Sequence, residues 1–155
     1  MKKTILVAML GTMVFSGAYA EKWVYVGGTK DFTVLANVDS ISCEAGICSI
    51  WTGTINIDKT KKHDSDLTYY EAKCKTKKFR HTYIVEYYKG KIINSYSRDD
   101  PDFRPTIPGT IGQHILKFAC GKKYSSDEIL NIPFHDAVST IQKGMRTKEY
   151  QDSFK

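Results

Sequence analysis

The chain predicts a single exported α+β domain, an antiparallel sheet of five or six strands with two helices on one face. Three observations carry that reading. Residues 67–78 alternate with period two: Tyr70, Ala72 and Cys74 share one face, while Glu71, Lys73, Lys75 and Lys77 share the other. Successive side chains of a strand point to opposite sides of a sheet, so this is a half-buried strand with Cys74 turned inward. Several β-branched and aromatic segments of similar length surround it, joined by short polar links, as in an antiparallel meander. Near the end, Phe134, Ala137, Val138, Ile141 and Met145 recur at the spacing of one helical face.

The start of the chain sets the compartment. Met1-Lys2-Lys3 precedes a short apolar run that ends Ala18-Tyr19-Ala20. This is the form of a secretory leader cleaved after Ala20, and the run is shorter than the roughly 20 residues a spanning helix needs. No cysteine follows it, so a lipid anchor on a new N-terminal cysteine is not expected. Loss of residues 1–20 leaves 135, the size of one domain, and takes the net charge from +6 to +4. A basic exported protein is drawn to anionic glycans, lipid head groups or acidic protein patches, not to nucleic acid.

All four cysteines, Cys43, Cys48, Cys74 and Cys120, lie in the exported part, and an even set there favours disulfides. Three pairings are open. A bridge between Cys43 and Cys48 across the turn-like Glu44-Ala45-Gly46-Ile47 is the simplest, and it leaves Cys74 and Cys120 to each other. The rival is a four-cysteine metal site, for which the spacing lacks paired short knuckles.

In chain order, Lys22 to Val26 forms a strand ended by Gly27-Gly28. The stretch from Phe32 to Val38 places Phe32, Val34, Ala36 and Val38 opposite Thr33 and Asn37. Asp39-Ser40 is a turn or strand end, and Ile47 to Ile57 alternates again, with Trp51 on the face of Ser49 and Gly53. Residues 58–66 are a polar loop. Lys78 to His81 turns the chain, Thr82 to Tyr88 is a strand, and Lys89-Gly90-Lys91 turns into a returning strand from Ile92 to Tyr96. Three prolines between residues 101 and 108 rule out an inner strand. Thr110-Ile111-Gly112-Gln113 is a capping box that opens a helix with Ile111, Ile115, Phe118 and Ala119 on one face, stopped by Gly121. Residues 122–155 read as helix-prone, with a polar tail from Arg146.

An ordered series of these elements resembles the surface-adhesin protein E-like family of Gram-negative bacteria. It runs from Trp23-Val24-Tyr25-Val26 through Val38-Asp39-Ser40-Ile41, Ile50-Trp51-Thr52 and Tyr69-Tyr70-Glu71-Ala72-Lys73-Cys74. Phe79-Arg80, Pro108-Gly109-Thr110 and Phe118-Ala119-Cys120 complete it. The resemblance implies a curved antiparallel sheet, a helix tethered to it by Cys74–Cys120, and adhesion to host extracellular proteins. It divides the chain into a leader (1–20), an adhesin-like sheet-and-helix domain (21–121) and a helical extension packing on the same domain (122–155). Cys43–Cys48 and that extension are additions to the family pattern.

The residues themselves offer two candidate surfaces. Lys59, Lys61, Lys62 and His63 precede the strand at 67–78, and Lys73, Lys75, Lys77, Lys78 and Arg80 lie on or after it. Packed on one face they would attract an anionic partner; the alternative is a lysine-rich solvated strand face. Tyr69, Tyr83, Tyr87, Tyr88 and Tyr96 crowd neighbouring strands and either serve binding or pack across the sheet. His63, His81, His114 and His135 lack metal-ligand spacing, and Asp99-Asp100-Pro101-Asp102 lacks the glycine and distal Glu of a calcium loop. No nucleophile motif frames any Ser, His or Asp. The expectation is therefore a non-catalytic binding protein without cofactor or metal, displayed on the outer surface, secreted or periplasmic. Its partner is a host extracellular protein or an anionic glycan, and a homodimer is one open arrangement. The alternative is a soluble periplasmic accessory or inhibitor protein.

Overall fold

The computed structural model describes residues 20–58, 60–98, 102–121, 123 and 129–147. The expected leader, Lys59, the 99–101 part of the acidic turn and the tail after residue 147 lie outside the described residues. The elements are β1 (Lys22–Gly28), β2 (Phe32–Glu44), β3 (Ile47–Asn56), β4 (Ser65–Lys73), β5 (Lys78–Tyr88), β6 (Lys91–Ser97), β7 (Arg104–Pro105), α1 (Ile111–Ala119), β8 (Ile129–Asn131) and α2 (Phe134–Met145). Among the described residues the strands form one antiparallel sheet of eight, in the order β6-β5-β4-β3-β2-β1-β8, with β7 beside β5. The sheet thus has two or three more strands than expected. The two unforeseen ones, β7 and β8, are edge strands of two and three residues, too short to display alternation. Pro105 fits β7 because an edge strand can spare a donor. The middle of the strand order is β3, with β4 next to it.

The helices sit on opposite faces, which corrects the one-sided arrangement. Neighbouring residues of one strand belong to two separate cores. Val24, Val34, Ala36, Ile50 and Ala72 pack with Ile115, Leu116, Phe118 and Ala119 of α1. Trp23, Leu35 and Ile55 pack with Phe134 and Ala137 of α2. The reason is written in β2, where every residue from Thr33 to Val38 is buried. A strand that is apolar on both sides must be covered on both sides.

Local chemistry sets the ends of α1. The Thr110 hydroxyl accepts from the Gln113 amide, while Gln113 Oε1 accepts from the Gly109 amide at 3.0 Å, one residue earlier than a standard capping box. Gly121, at φ +89°, stops the helix in the left-handed region. Gly112 is required by its neighbour: a Cβ there would lie 2.8 Å from Phe79 Cζ. Both expected bridges are formed. Cys43 and Cys48 face each other directly in the β2–β3 hairpin, across a two-residue turn with Ala45 and Gly46 at positive φ. Cys74 joins Cys120 with their Cα atoms 5.7 Å apart, tying the end of β4 to the end of α1.

Three irregularities change which side chains face which way. Lys78 to His81, expected as a turn, pairs with β4, and the turn falls at residues 74–77 instead. The shift occurs because β4 ends at Lys73, where Cys74 is drawn to Cys120. Thr82 is the extra residue of a bulge, since Tyr69 pairs with Tyr83 but Tyr70 pairs with His81. Phe79 and His81 therefore face α1, whereas Tyr83, Val85 and Tyr87 face α2. In β2 the register jumps between Asn37 and Ser42. Ser40 bridges this excursion: its hydroxyl donates to the Asn37 carbonyl at 2.7 Å and accepts from the Trp51 amide at 2.9 Å. Ser40→Ala leaves that amide without its partner and should cost about 1–3 kcal/mol. A thermal melt should register it as a loss of roughly 3–8 °C; an unchanged melting temperature would show that water replaces the hydroxyl freely.

Candidate binding face

The face that carries α2 is only partly covered by it. Phe134, at the start of α2, lies over Gly53, where a Cβ would come within 2.1 Å of the ring. Gly53 pairs with Leu67, and Leu67 with Val85. Two residues further along each strand is the row Trp51, Tyr69, Tyr83 and Ser97, in direct cross-strand register. Alternation places this row on the same face as Gly53 and Leu67, beyond Phe134. The Trp51 and Tyr69 rings are 5.0 Å apart and tilted by 48°, and the Tyr83 ring stands edge-on to Trp51 at 6.2 Å. All three residues are half-buried. Tilted and edge-on pairs are the favoured aromatic arrangements, because a ring's positive edge meets its neighbour's negative face.

The next row is polar. Glu71 and Arg80 are paired across β4 and β5, and both Nε and Nη2 of Arg80 lie 2.7 Å from Glu71 Oε2. Phe103 joins from the segment before β7. Its ring centre is 4.2 Å from Lys73 Nζ and 4.5 Å from the Arg80 guanidinium carbon. Two cations on one ring are a favourable use of its negative face, and they hold Phe103 to the sheet. The open area is thus an aromatic row with α2 on one side and an ion pair capped by Phe103 on the other.

The expected basic surface divides in two. Lys73 and Lys78 are exposed, pair with each other across β4 and β5, and adjoin Phe103, while Arg80 is half-buried in its ion pair. Lys75 and Lys77 lie in the turn beyond β4, not along a strand row, and Lys77 adopts φ +53°. Lys61 and Lys62 are exposed in the loop at the opposite end of β4. Nine strand residues separate the two groups, about 25 Å of chain. Lys61 instead lines a cleft of about 340 Å³ with Lys89 and Arg146, where Asp58 and Asp64 also stand. Hydrogen bonds from the Thr60 hydroxyl and amide hold the Asp58 carboxyl below its usual range.

The tyrosines divide by face as well. Tyr69 and Tyr83 are in the open row. Tyr87 meets the edge of Phe134 at 6.3 Å, and burial, then the nearby Glu21 carboxylate, pushes its hydroxyl up. Tyr70 points the other way, stacked on Phe79 at 5.7 Å beside the α1 core, where burial foremost pushes its hydroxyl up to about 12. Tyr88 and Tyr96 are exposed on the edge hairpin. Trp51 and Phe103 escaped sequence reasoning. The company Trp51 keeps, Ser49 and Gly53 on the same alternating face, was the available signal; Phe103 sits in a proline-rich stretch with no periodicity.

The histidines are separated. His114 Nδ1 is 3.2 Å from the Val26 carbonyl, His81 meets Arg98, His63 lies 3.7 Å from Asp66, and His135 lies 3.1 Å from Asp136. Among the described residues no three His, Cys, Asp or Glu side chains gather as a metal site, and no helix is long and apolar enough to cross a membrane.

Compared with known families, residues 23–121 match the model of surface-adhesin protein E. Comparison with curated proteins and with solved structures gave no match. The matched stretch runs from β1 to the end of α1 and contains the whole of the open face, while β8 and α2 follow it.

Proposed function

The chain belongs to the surface-adhesin protein E family, and from this premise we propose that it is an exported, non-catalytic binding protein whose partner docks on the open part of the α2-side face. One observation supports the choice of face. Gly53 is buried under Phe134 of α2, yet the adjoining row of Trp51, Tyr69 and Tyr83 is left half-exposed on the same face. Tyrosine and tryptophan give a large contact area with few rotatable bonds, so they are enriched where proteins meet partners. The exposed Lys73 and Lys78 at the end of that surface favour a partner with negative charge.

The test is a pull-down of the mature chain, residues 21–155, against extracellular-matrix extracts. Tyr69→Ala/Tyr83→Ala should reduce captured material at least tenfold while the circular dichroism spectrum is unchanged. Equal capture by the parent and this variant would move the site elsewhere. Surface labelling of intact cells should reach the protein; release by osmotic shock without labelling would instead support the periplasmic accessory role.

A further inference from the structure

We propose that the occupant of the open face is an acidic saccharide chain, an inference that rests on the binding-face reading above and narrows it to one class of ligand. The open row holds Trp51, Tyr69, Tyr83 and Ser97, and the row that borders it holds Ser49, Glu71 and Arg80, with no aliphatic side chain in either. Tyrosine, tryptophan and arginine also serve protein interfaces, but serine, glutamate and lysine are depleted there, and Ser49, Ser97 and Glu71 stand in these rows with Lys73 and Lys78 beside them. Among the described residues the large exposed aliphatics, Ile92, Ile93, Ile107 and Leu130, lie outside both rows. A sugar ring presents a face of C–H groups that packs on the negative face of an aromatic ring, and hydroxyls at its rim that need polar partners. The aromatic row supplies the first, and the polar side chains of Ser97, Ser49 and Glu71 stand in and beside it for the second.

Spacing and charge agree with a chain. Adjacent strands are about 4.8 Å apart, close to the length of one sugar ring, so a row across β3, β4 and β5 spans successive residues of an oligosaccharide. Glu71 and Arg80 neutralise each other, which leaves the unmatched positive charge at one place, Lys73 and Lys78 on the far side of Phe103. A ligand with an isolated carboxylate along an otherwise uncharged backbone fits this distribution better than a densely charged polyanion.

The chain contains two tryptophans, and they allow a direct test. Trp23 is 1% exposed under α2, whereas Trp51 is half-exposed in the row. The mature chain is titrated with a hyaluronan hexasaccharide, whose uronate carboxylates alternate with uncharged sugars, and with a chitin hexasaccharide as the neutral counterpart. The expected result is a saturable quench and blue shift of emission with hyaluronan that persists in Trp23→Phe and vanishes in Trp51→Phe. Binding should weaken at least tenfold in Tyr69→Ala/Tyr83→Ala. It should weaken about fivefold in Lys73→Glu/Lys78→Glu, both exposed positions, and the parent chain should bind the neutral sugar about fivefold more weakly than hyaluronan. Equal affinity for the two sugars would overturn the acidic assignment. If neither sugar changes the emission while matrix capture still depends on Tyr69 and Tyr83, the occupant is a protein and only this inference falls. If capture is independent of those tyrosines as well, the binding face itself is wrong.

Discussion

Alanine at both Cys74 and Cys120 is expected to lower the free energy of unfolding by about 4 kcal/mol, from the loop closed by a bridge of sequence separation 46. That is a large share of the roughly 5–15 kcal/mol by which domains are stable. The bridge matters because of what it holds. Helix α1 has nine residues, too few to be stable by itself, yet it supplies four buried side chains, Ile115, Leu116, Phe118 and Ala119, to one of the two cores. Free of Cys74, the helix has to be kept in place by that packing alone. Urea titration of oxidised protein should show the midpoint fall steeply, with the apparent slope falling if α1 detaches before the sheet. The short bridge is the control: Cys43→Ala/Cys48→Ala opens a loop of sequence separation 5 and should cost about 2 kcal/mol. A loss below about 1 kcal/mol for the long bridge would mean that α1 docks without its covalent tie.

Gly53→Ala should be the most damaging single-atom addition in the chain. The new Cβ would lie 2.1 Å from Phe134 Cε2 and 2.7 Å from Cζ. Gly53 is in the middle strand, and Phe134 is held by Trp23, 5.0 Å away, and by Tyr87, so neither side can simply give way. Overpacking of a core costs about 1–3 kcal/mol, and the backbone position of this one puts it at the upper end. Phe134→Ala alone should cost about 3–5 kcal/mol through the cavity it leaves. The informative quantity is their combination. In a Phe134→Ala background the alanine at 53 has room, so the double variant should be scarcely less stable than Phe134→Ala, with a coupling of about 2–3 kcal/mol. Additive losses would mean that α2 does not rest on Gly53, and the open row beside it would lose its border. The same experiment bears on function, since a displaced α2 would change the exposure of Trp51 and Tyr69 as well.

Much of the local structure can be read directly from the residues. Alternation marks β2, β3 and β4, Thr110 and Gln113 mark the start of α1, and the stripe from Phe134 to Met145 marks α2. The two bridges and the family follow from the cysteines and from the order of short apolar segments. These are properties of near neighbours in the chain, and a period of 2 or 3.6 records them faithfully.

The open face was decided elsewhere. A period tells which residues of an element share a side, but not which side of a two-faced sheet another element will cover. The apolar residues on both faces of β2, Val34 and Ala36 on one and Leu35 on the other, allowed either assignment of α2, and its choice of the Trp23–Leu35 side left Trp51, Tyr69 and Tyr83 open. The bulge at Thr82 reverses the alternation of β5 without any change in composition, so Arg80 and Tyr83 face the same way although they are three positions apart. The length of β4 keeps Lys61 and Lys62 apart from Lys73 and Lys78, though all belong to one basic stretch of sequence. Sequence alone determined most of the elements and their ties; long-range packing determined the short edge strands and which side chains were left facing solvent, because burial is a property of the whole assembly of elements and not of any one of them.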